Sequence, residues 1–288
     1  MKLCKSIVLS GILPQVKEDR QAFERGVDYF SKKGITVFEY FAPFQHTAEF
    51  GRILKERSLR SIYLAAIYQK MYGLNLSAVD ENERAKAVEQ VFDCIDAAIA
   101  AEADSVLVTS GAYPKDASLE PKALDALERS LCELFDHAGN AVKFLLEPGD
   151  QFADSRQFMG PTDKAVELTK RLRERYQNIS LTLDTSHMAL MGEDIKASIE
   201  LAKPYCGHIH LANCIINKAL PLYGDKHPFF NCADSAFTSA DLKEIMQWAA
   251  KLYSNDELTI TVEIISRSED PWADAEHMLE EENWFFEG

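Results

Sequence analysis

Phe144-Leu145-Leu146-Glu147, Ile179-Ser180-Leu181-Thr182-Leu183-Asp184, Gly207-His208-Ile209-His210 and Ile260-Thr261-Val262-Glu263 are four apolar runs, and each closes on an acid or an imidazole. Side chains of a strand alternate between its two faces. If Glu147 points inward, Leu146 and Phe144 point outward. If Asp184 points inward, so do Thr182 and Ser180, while Leu183, Leu181 and Ile179 face out. The same parity pairs His210 with His208 and sets Glu263 with Thr261 and Thr259. All four polar strand ends therefore fall on one side without contradiction. Acids and imidazoles at the C-terminal ends of successive strands are what a parallel (β/α)8 barrel presents at its active-site face.

Working outward, apolar β-branched runs alternate with helical patterns along the whole chain. Strands are expected at Cys4–Ser10, Thr36–Phe41, Ser61–Ile67, Ser105–Thr109, Lys143–Glu147, Ile179–Asp184, Gly207–Leu211 and Thr259–Ile264. Helices are expected at Glu18–Lys32, Thr47–Arg57, Glu81–Ala101, Pro121–His137, Pro161–Tyr176, Asp194–Leu201, Ser239–Leu252 and Pro271–Trp284. Eight β-then-α units in order specify a closed parallel barrel over an open sheet. No Pro/Gly/Ser-rich linker interrupts them, so residues 1–288 are read as a single TIM-barrel domain of the α/β class.

The chain has 288 residues, 47% of them hydrophobic and 27% charged, which suits one large core. Its formal net charge of −15 repels nucleic acid and anionic membrane surfaces. No stretch approaches the length of a membrane span. The apolar run after Met1-Lys2-Leu3-Cys4-Lys5 is too short for a secretion signal. The six cysteines are scattered without a CxxC, as expected of reduced thiols. Together these point to a cytoplasmic protein with a small-molecule substrate.

Two Glu, one Asp and one His from adjacent strands make an oxygen-rich set for one divalent cation: Glu147, Asp184, His210 and Glu263. Glu147 and Glu263 also have the chemistry of a proton-transfer pair, one removing a proton beside a carbonyl and the other returning it. His187, just past Asp184, is within reach of the same mouth as a ligand or a donor to a substrate oxygen. His208, one layer deeper, reads as a buried core histidine supporting its neighbours. The irregular segment 213–238 has the length of a functional lid. It contributes Asp225, Lys226 and His227. Lys226 and Arg267 are candidate contacts for a substrate anion, His46 for the barrel mouth, and Glu39 for a polar interior.

The stretches Leu146-Glu147-Pro148, Leu183-Asp184-Thr185-Ser186-His187, His208-Ile209-His210-Leu211, Gly224-Asp225-Lys226-His227-Pro228 and Val262-Glu263 resemble the xylose isomerase-like superfamily of barrels. Its members include sugar phosphate isomerases/epimerases, ketose 3-epimerases, inosose dehydratase and endonuclease IV. Resemblance to the ketose 3-epimerases implies one Mn²⁺-type ion, with Mg²⁺, Co²⁺ and Zn²⁺ also suited, on Glu147, Asp184, His210 and Glu263. It implies proton exchange by the two Glu through an enediolate, with His187 on the substrate. The epimerase arginine after the strand-seven His is not evident in Asn213–Lys218. Resemblance to endonuclease IV extends to Asp225 and His227 but lacks His at the ends of the third and fourth strands. The expected activity is therefore metal-dependent isomerisation or epimerisation of a small sugar, ketose or sugar phosphate. An inosose-type dehydration, DNA phosphodiester cleavage and a non-catalytic sugar-binding barrel are the alternatives. A homo-oligomer is compatible with the resemblance.

Overall fold

Parallel strands Lys2–Val8 (β1), Val37–Tyr40 (β2), Arg60–Leu64 (β3), Ser105–Thr109 (β4), Lys143–Glu147 (β5), Ile179–Asp184 (β6), Cys206–Leu211 (β7) and Glu257–Val262 (β8) follow one another around a closed (β/α)8 barrel. The source is a computed structural model, which describes residues 2–286. The seam is complete: β1 pairs with β8 from Lys2↔Glu257 through Ile7↔Val262. No helix among the described residues is long and apolar enough to cross a membrane.

Residues that alternate outward, such as Phe38, Phe144, Leu146, Leu183, Ile209 and Ile260, are fully or almost fully buried beneath the helix layer. The inward set at mid-barrel is polar. Ser6, Glu39, Thr182, His208 and Thr261 are each at most 3% exposed. Between β6 and β7 the register slips once, Leu181↔Cys206 being followed by Thr182↔His208. Gly207 is the extra residue. The slip brings Thr182 and Asp184 level with His208 and His210, so inward residues of both strands share layers.

The local signals act as their chemistry demands. Asp19 caps Arg20–Ser31 by accepting from Gln21 and Ala22 N–H. Thr238 and Asp241 form a reciprocal capping box at the start of Ser239–Leu252. Two strands turn into helix before their expected ends. β1 gives way to a helical turn, Leu9–Ile12, and β3 to the helix Ala65–Tyr72. Ala65, Ala66, Gln69, Lys70 and Met71 are good helix formers, and left-handed Gly73 ends the turn. An apolar run alone does not distinguish a strand from the short helix that continues it.

Candidate active site

Glu147 ends β5, Asp184 ends β6, His210 lies one residue from the end of β7, and Glu263 follows β8 directly. The Glu263 backbone N–H donates to Leu211 O at 3.0 Å, which continues the ladder past the assigned strand and fixes the side chain at the mouth. One ligand-type atom from each of the four lies within 4.8 Å of the others. The centre of the set is His210 Nδ1, 2.7 Å from Glu263 Oε2, 3.1 Å from Glu147 Oε1 and 3.7 Å from Asp184 Oδ2. None of these approaches has hydrogen-bond geometry, so His210 Nδ1 and Asp184 Oδ2 are buried without a partner. Orphaned buried polar atoms are rare and need a reason. Once His210 gives up its proton, its Nδ1 lone pair and the three carboxylates converge on a common point, an arrangement that fits a divalent cation.

The other atoms of these residues are occupied. Asp184 Oδ1 accepts from Ser186 N at 2.6 Å, Ser186 Oγ at 2.5 Å and His187 N at 3.1 Å. It thereby caps the helix Thr185–Met191, which leaves Oδ2 alone for a ligand. His210 Nε2 lies 3.1 Å from Glu39 Oε2, while Glu39 Oε1 lies 2.9 Å from His208 Nε2. Ser6 Oγ and Thr261 Oγ1 also donate to Glu39 Oε1, and Thr182 Oγ1 is 2.8 Å from His208 Nδ1. Burial opposes charge on Glu39, but His208 and then His210 outweigh it and hold its pKa well below the carboxylate range. Burial likewise opposes charge on His210, but Glu39 and then Glu263 raise its pKa well above the usual value.

A second constellation stands beside the first. The segment after β7 is pinned by Asn213, whose buried amide donates to Phe230 O at 2.9 Å, Ser235 Oγ at 3.0 Å and Phe237 O at 2.6 Å. This turns Asp225 and His227 inward. Asp225 Oδ1 is 2.5 Å from His227 Nε2 and 3.2 Å from His187 Nε2. His187 Nδ1 is 3.0 Å from Pro148 O, so the ring is held from both sides. His227 has a left-handed backbone, φ +44°, a conformation unusual for a residue with a Cβ, and its Nδ1 is 3.1 Å from Glu263 Oε1. Burial works against charge on His187, but Asp184, then Asp225, then Glu147 raise its pKa to about 10. Burial is likewise overcome on His227, by Glu263 and then Asp225, which raise its pKa well above the usual imidazole value. His227 Nδ1 is also buried without a hydrogen bond. Atoms of Asp184, His187 and His227 form a second group of metal-ligand spacing.

Above both groups lies a cavity of about 350 Å³ lined by Glu147, His187, Asp225, His227 and Glu263, with Ile67, Met71 and Ile265 on its apolar wall. Not every expected residue is there. His46 lies in the helix Phe44–Glu56 with its ring stacked 6.0 Å from Phe50. Lys226 Nζ is 2.6 Å from Asp154 Oδ2. Arg267 donates to Ile265 O and Lys226 O. None of the three lines the cavity: His46 packs on Phe50, and Lys226 and Arg267 are engaged by Asp154 and by backbone carbonyls. Lys17 and Lys70 do line it and carried no signal beyond being lysines. In the helix Ala65–Tyr72 that follows β3, Gln69 clamps β4 through Thr109, donating to its O and accepting from its N, both at 2.9 Å. That position is thus structural.

A family model described as xylose isomerase-like TIM barrel matches residues 21–281. The chain belongs to that family. No functionally curated protein matches it by sequence. Among solved structures, a putative xylose isomerase from Rhodospirillum rubrum superposes with a TM-score of 0.76 at 15% identity, over 99% of each chain. A D-psicose 3-epimerase crystallised with D-fructose gives 0.68 at 14% identity, over 99% of this chain and 96% of that one. An AP endonuclease, family 2, from Brucella melitensis gives 0.66 at 17% identity, over 94% and 95%. Such identities carry the fold. This family member's reaction has to be argued from its own site.

Proposed function

We propose that this xylose isomerase-like protein is a divalent-metal-dependent isomerase or epimerase of a small sugar or ketose. The observation that carries the reading is the convergence of Glu147, Asp184, His210 and Glu263 on one point, with His210 Nδ1 and Asp184 Oδ2 buried and unsatisfied. These four residues fit a hard or borderline cation of the Mn²⁺, Mg²⁺, Co²⁺ or Zn²⁺ kind. When bound, the ion supplies Lewis acidity to adjacent carbonyl and hydroxyl oxygens of the sugar.

The remaining chemistry belongs to the chain. Glu147 and Glu263 come from strands separated by β6 and β7, and both line the cavity. A carbon atom between them exposes one face to each. One carboxylate oxygen takes the proton beside the carbonyl, and the other Glu returns a proton to the same or the neighbouring carbon. His187, held by Pro148 O and Asp225, directs a charged imidazole at the oxygen on which charge develops. The apolar wall of Ile67, Met71 and Ile265 limits access of water to the carbanion-like state.

The test is exchange of solvent deuterium into ketoses by protein loaded with Mn²⁺, together with Glu263→Gln and Glu147→Gln. The proposal expects carbon-bound deuterium with the native chain and a loss of about 10²-fold or more in either variant. A Glu263→Gln protein with full turnover would remove the mechanism.

A second reading, phosphodiester hydrolysis by more than one ion, is favoured by the neighbouring Asp184–His187–His227 group. The net charge of −15 weighs against a nucleic acid substrate.

A further inference from the structure

The cavity is lined by two lysines, a partly buried Lys17 and a largely exposed Lys70, that an uncharged sugar does not need. Lys17 closes the helical turn Pro14–Lys17 after β1, and Lys70 lies in the helix Ala65–Tyr72 after β3. Both line the cavity that holds Glu147 and Glu263. Lys17 is partly buried, yet among the described residues its ammonium makes no hydrogen bond or ion pair. The acid that acts on its charge is its exposed chain neighbour Glu18. Removing an ammonium from water without a partner is unfavourable, and the deficit is made good when an anion arrives. Lys70 Nζ has one acid near it, Asp225 Oδ2 at 3.8 Å, and Asp225 already serves two imidazoles. By contrast Lys226 and Arg267, the cations nearest the site in sequence, are engaged elsewhere.

We infer that Lys17 and Lys70 form an anion subsite, so that the substrate is a small sugar bearing a terminal phosphate or carboxylate. The inference rests on the sugar reading above and adds the charge of the substrate to it. Lys17 follows β1, the neighbour of β8 in the closed sheet, and Lys70 follows β3, while the candidate bases come from β5 and β8 and line the same cavity. A short carbon chain crossing the cavity reaches the lysines with its anionic end while its carbonyl end lies between Glu147 and Glu263. Lys17 and Lys70 are thus specificity-determining residues in this assignment.

The experiment is calorimetric titration of Mn²⁺-loaded protein with D-fructose, D-fructose 6-phosphate and 5-keto-D-gluconate, in the native chain and in Lys17→Ala and Lys70→Ala. The phosphate and carboxylate arms distinguish the two anion types. The expected result is that one anionic ketose binds about 10-fold or more tighter than D-fructose, and that each substitution removes most of that preference while D-fructose binding stays unchanged. Equal affinity for all three sugars overturns the inference, as does a preference that survives in the Lys17→Ala/Lys70→Ala double variant. Lysines that merely offset the neighbouring carboxylates would weaken all three ligands alike, which also overturns it. If no ketose binds, the sugar reading fails, and inorganic phosphate decides the subsite alone. Phosphate binding lost in the double variant keeps the subsite, and no phosphate binding to the native chain removes it.

Discussion

Glu39 Oε2 stands 3.1 Å from His210 Nε2, so the imidazole turns its other nitrogen toward Glu147, Asp184 and Glu263. A carboxylate on the far side of a liganding imidazole fixes the ring and raises its basicity. Glu39→Gln keeps the shape and removes the charge. Metal affinity is expected to fall about 10- to 100-fold, read by competition with a chromogenic chelator. Unchanged affinity would mean that Glu39 only fills the barrel interior.

Metal uptake is expected to release protons. His210 and His227 have pKa values raised well above the usual imidazole value in the metal-free chain, by Glu39 and by Glu263 respectively, so both are protonated at neutral pH. A ligand nitrogen must lose its proton, so affinity rises with pH and roughly one proton leaves per imidazole that binds the ion. Titration calorimetry in buffers of different ionisation enthalpy measures the number. A heat that does not depend on the buffer would exclude His210 as a ligand.

Stability of the metal-free chain should follow the same groups. His187 is raised to about 10, so its stabilising effect is full below the unfolded imidazole value of 6.5 and is lost as pH climbs through about 10. Glu263 is held down to about 2, with burial opposing and His227 and then His210 prevailing. Its effect is full above the unfolded carboxyl value of 4.5 and is lost as pH falls toward about 2. The metal-free midpoint of thermal unfolding is expected to be highest between these limits and to decline from about pH 6.5 upward. A midpoint still rising from pH 7 to pH 9 would contradict the charge assignment of His187.

How much of this was legible in the chain follows from what each residue depends on. The barrel and the four strand-end ligand candidates are set by period-two alternation, a local property, and the closed sheet agrees. The sequence marks Glu39 only as polar interior, because the partners that matter, His208 and His210, are 169 and 171 residues away. The inward turn of Asp225 and His227 depends on Asn213 gathering three distant acceptors, which no local pattern announces. Lys226 and Arg267 are candidates for a substrate anion by charge alone, but Asp154 and the Ile265 and Lys226 carbonyls engage them, and no local pattern announces those partners. Lys17 and Lys70 enter it through turns that the apolar patterns of β1 and β3 had concealed.

The count of bound ions separates the two functional readings. The sugar-enzyme reading expects about one ion per chain by elemental analysis, lost in Glu147→Gln and retained in Asp225→Asn. A second ion lost selectively in Asp225→Asn or His227→Ala would move the second ligand group from positioning the substrate to holding metal, and would favour the phosphodiesterase reading.

Gly51 tests the packing of the helix layer. A Cβ built there would lie 2.1 Å from Ala101 O and 2.7 Å from Ala101 Cα, both backbone atoms. Neither can move as a side-chain tip moves. Gly51→Ala is expected to destabilise the fold by about 1–3 kcal/mol in urea unfolding, with metal affinity per folded chain unchanged. A neutral effect would mean that the Phe44–Glu56 helix slides freely against the turn at Ala101.

Asp184 divides its two oxygens between different tasks, one starting a helix and one aimed at the ligand point. Asparagine can still start the helix but brings no charge to the cation. Glutamate brings the charge, yet its extra methylene carries the carboxylate past the N–H groups of Ser186 and His187. The position is therefore boxed in from both sides of chemical space, and its closest replacements each forfeit one of its duties. Because the capped helix carries His187, an asparagine at 184 strikes the cation alone, whereas a glutamate spares the charge and disturbs the group that meets the substrate.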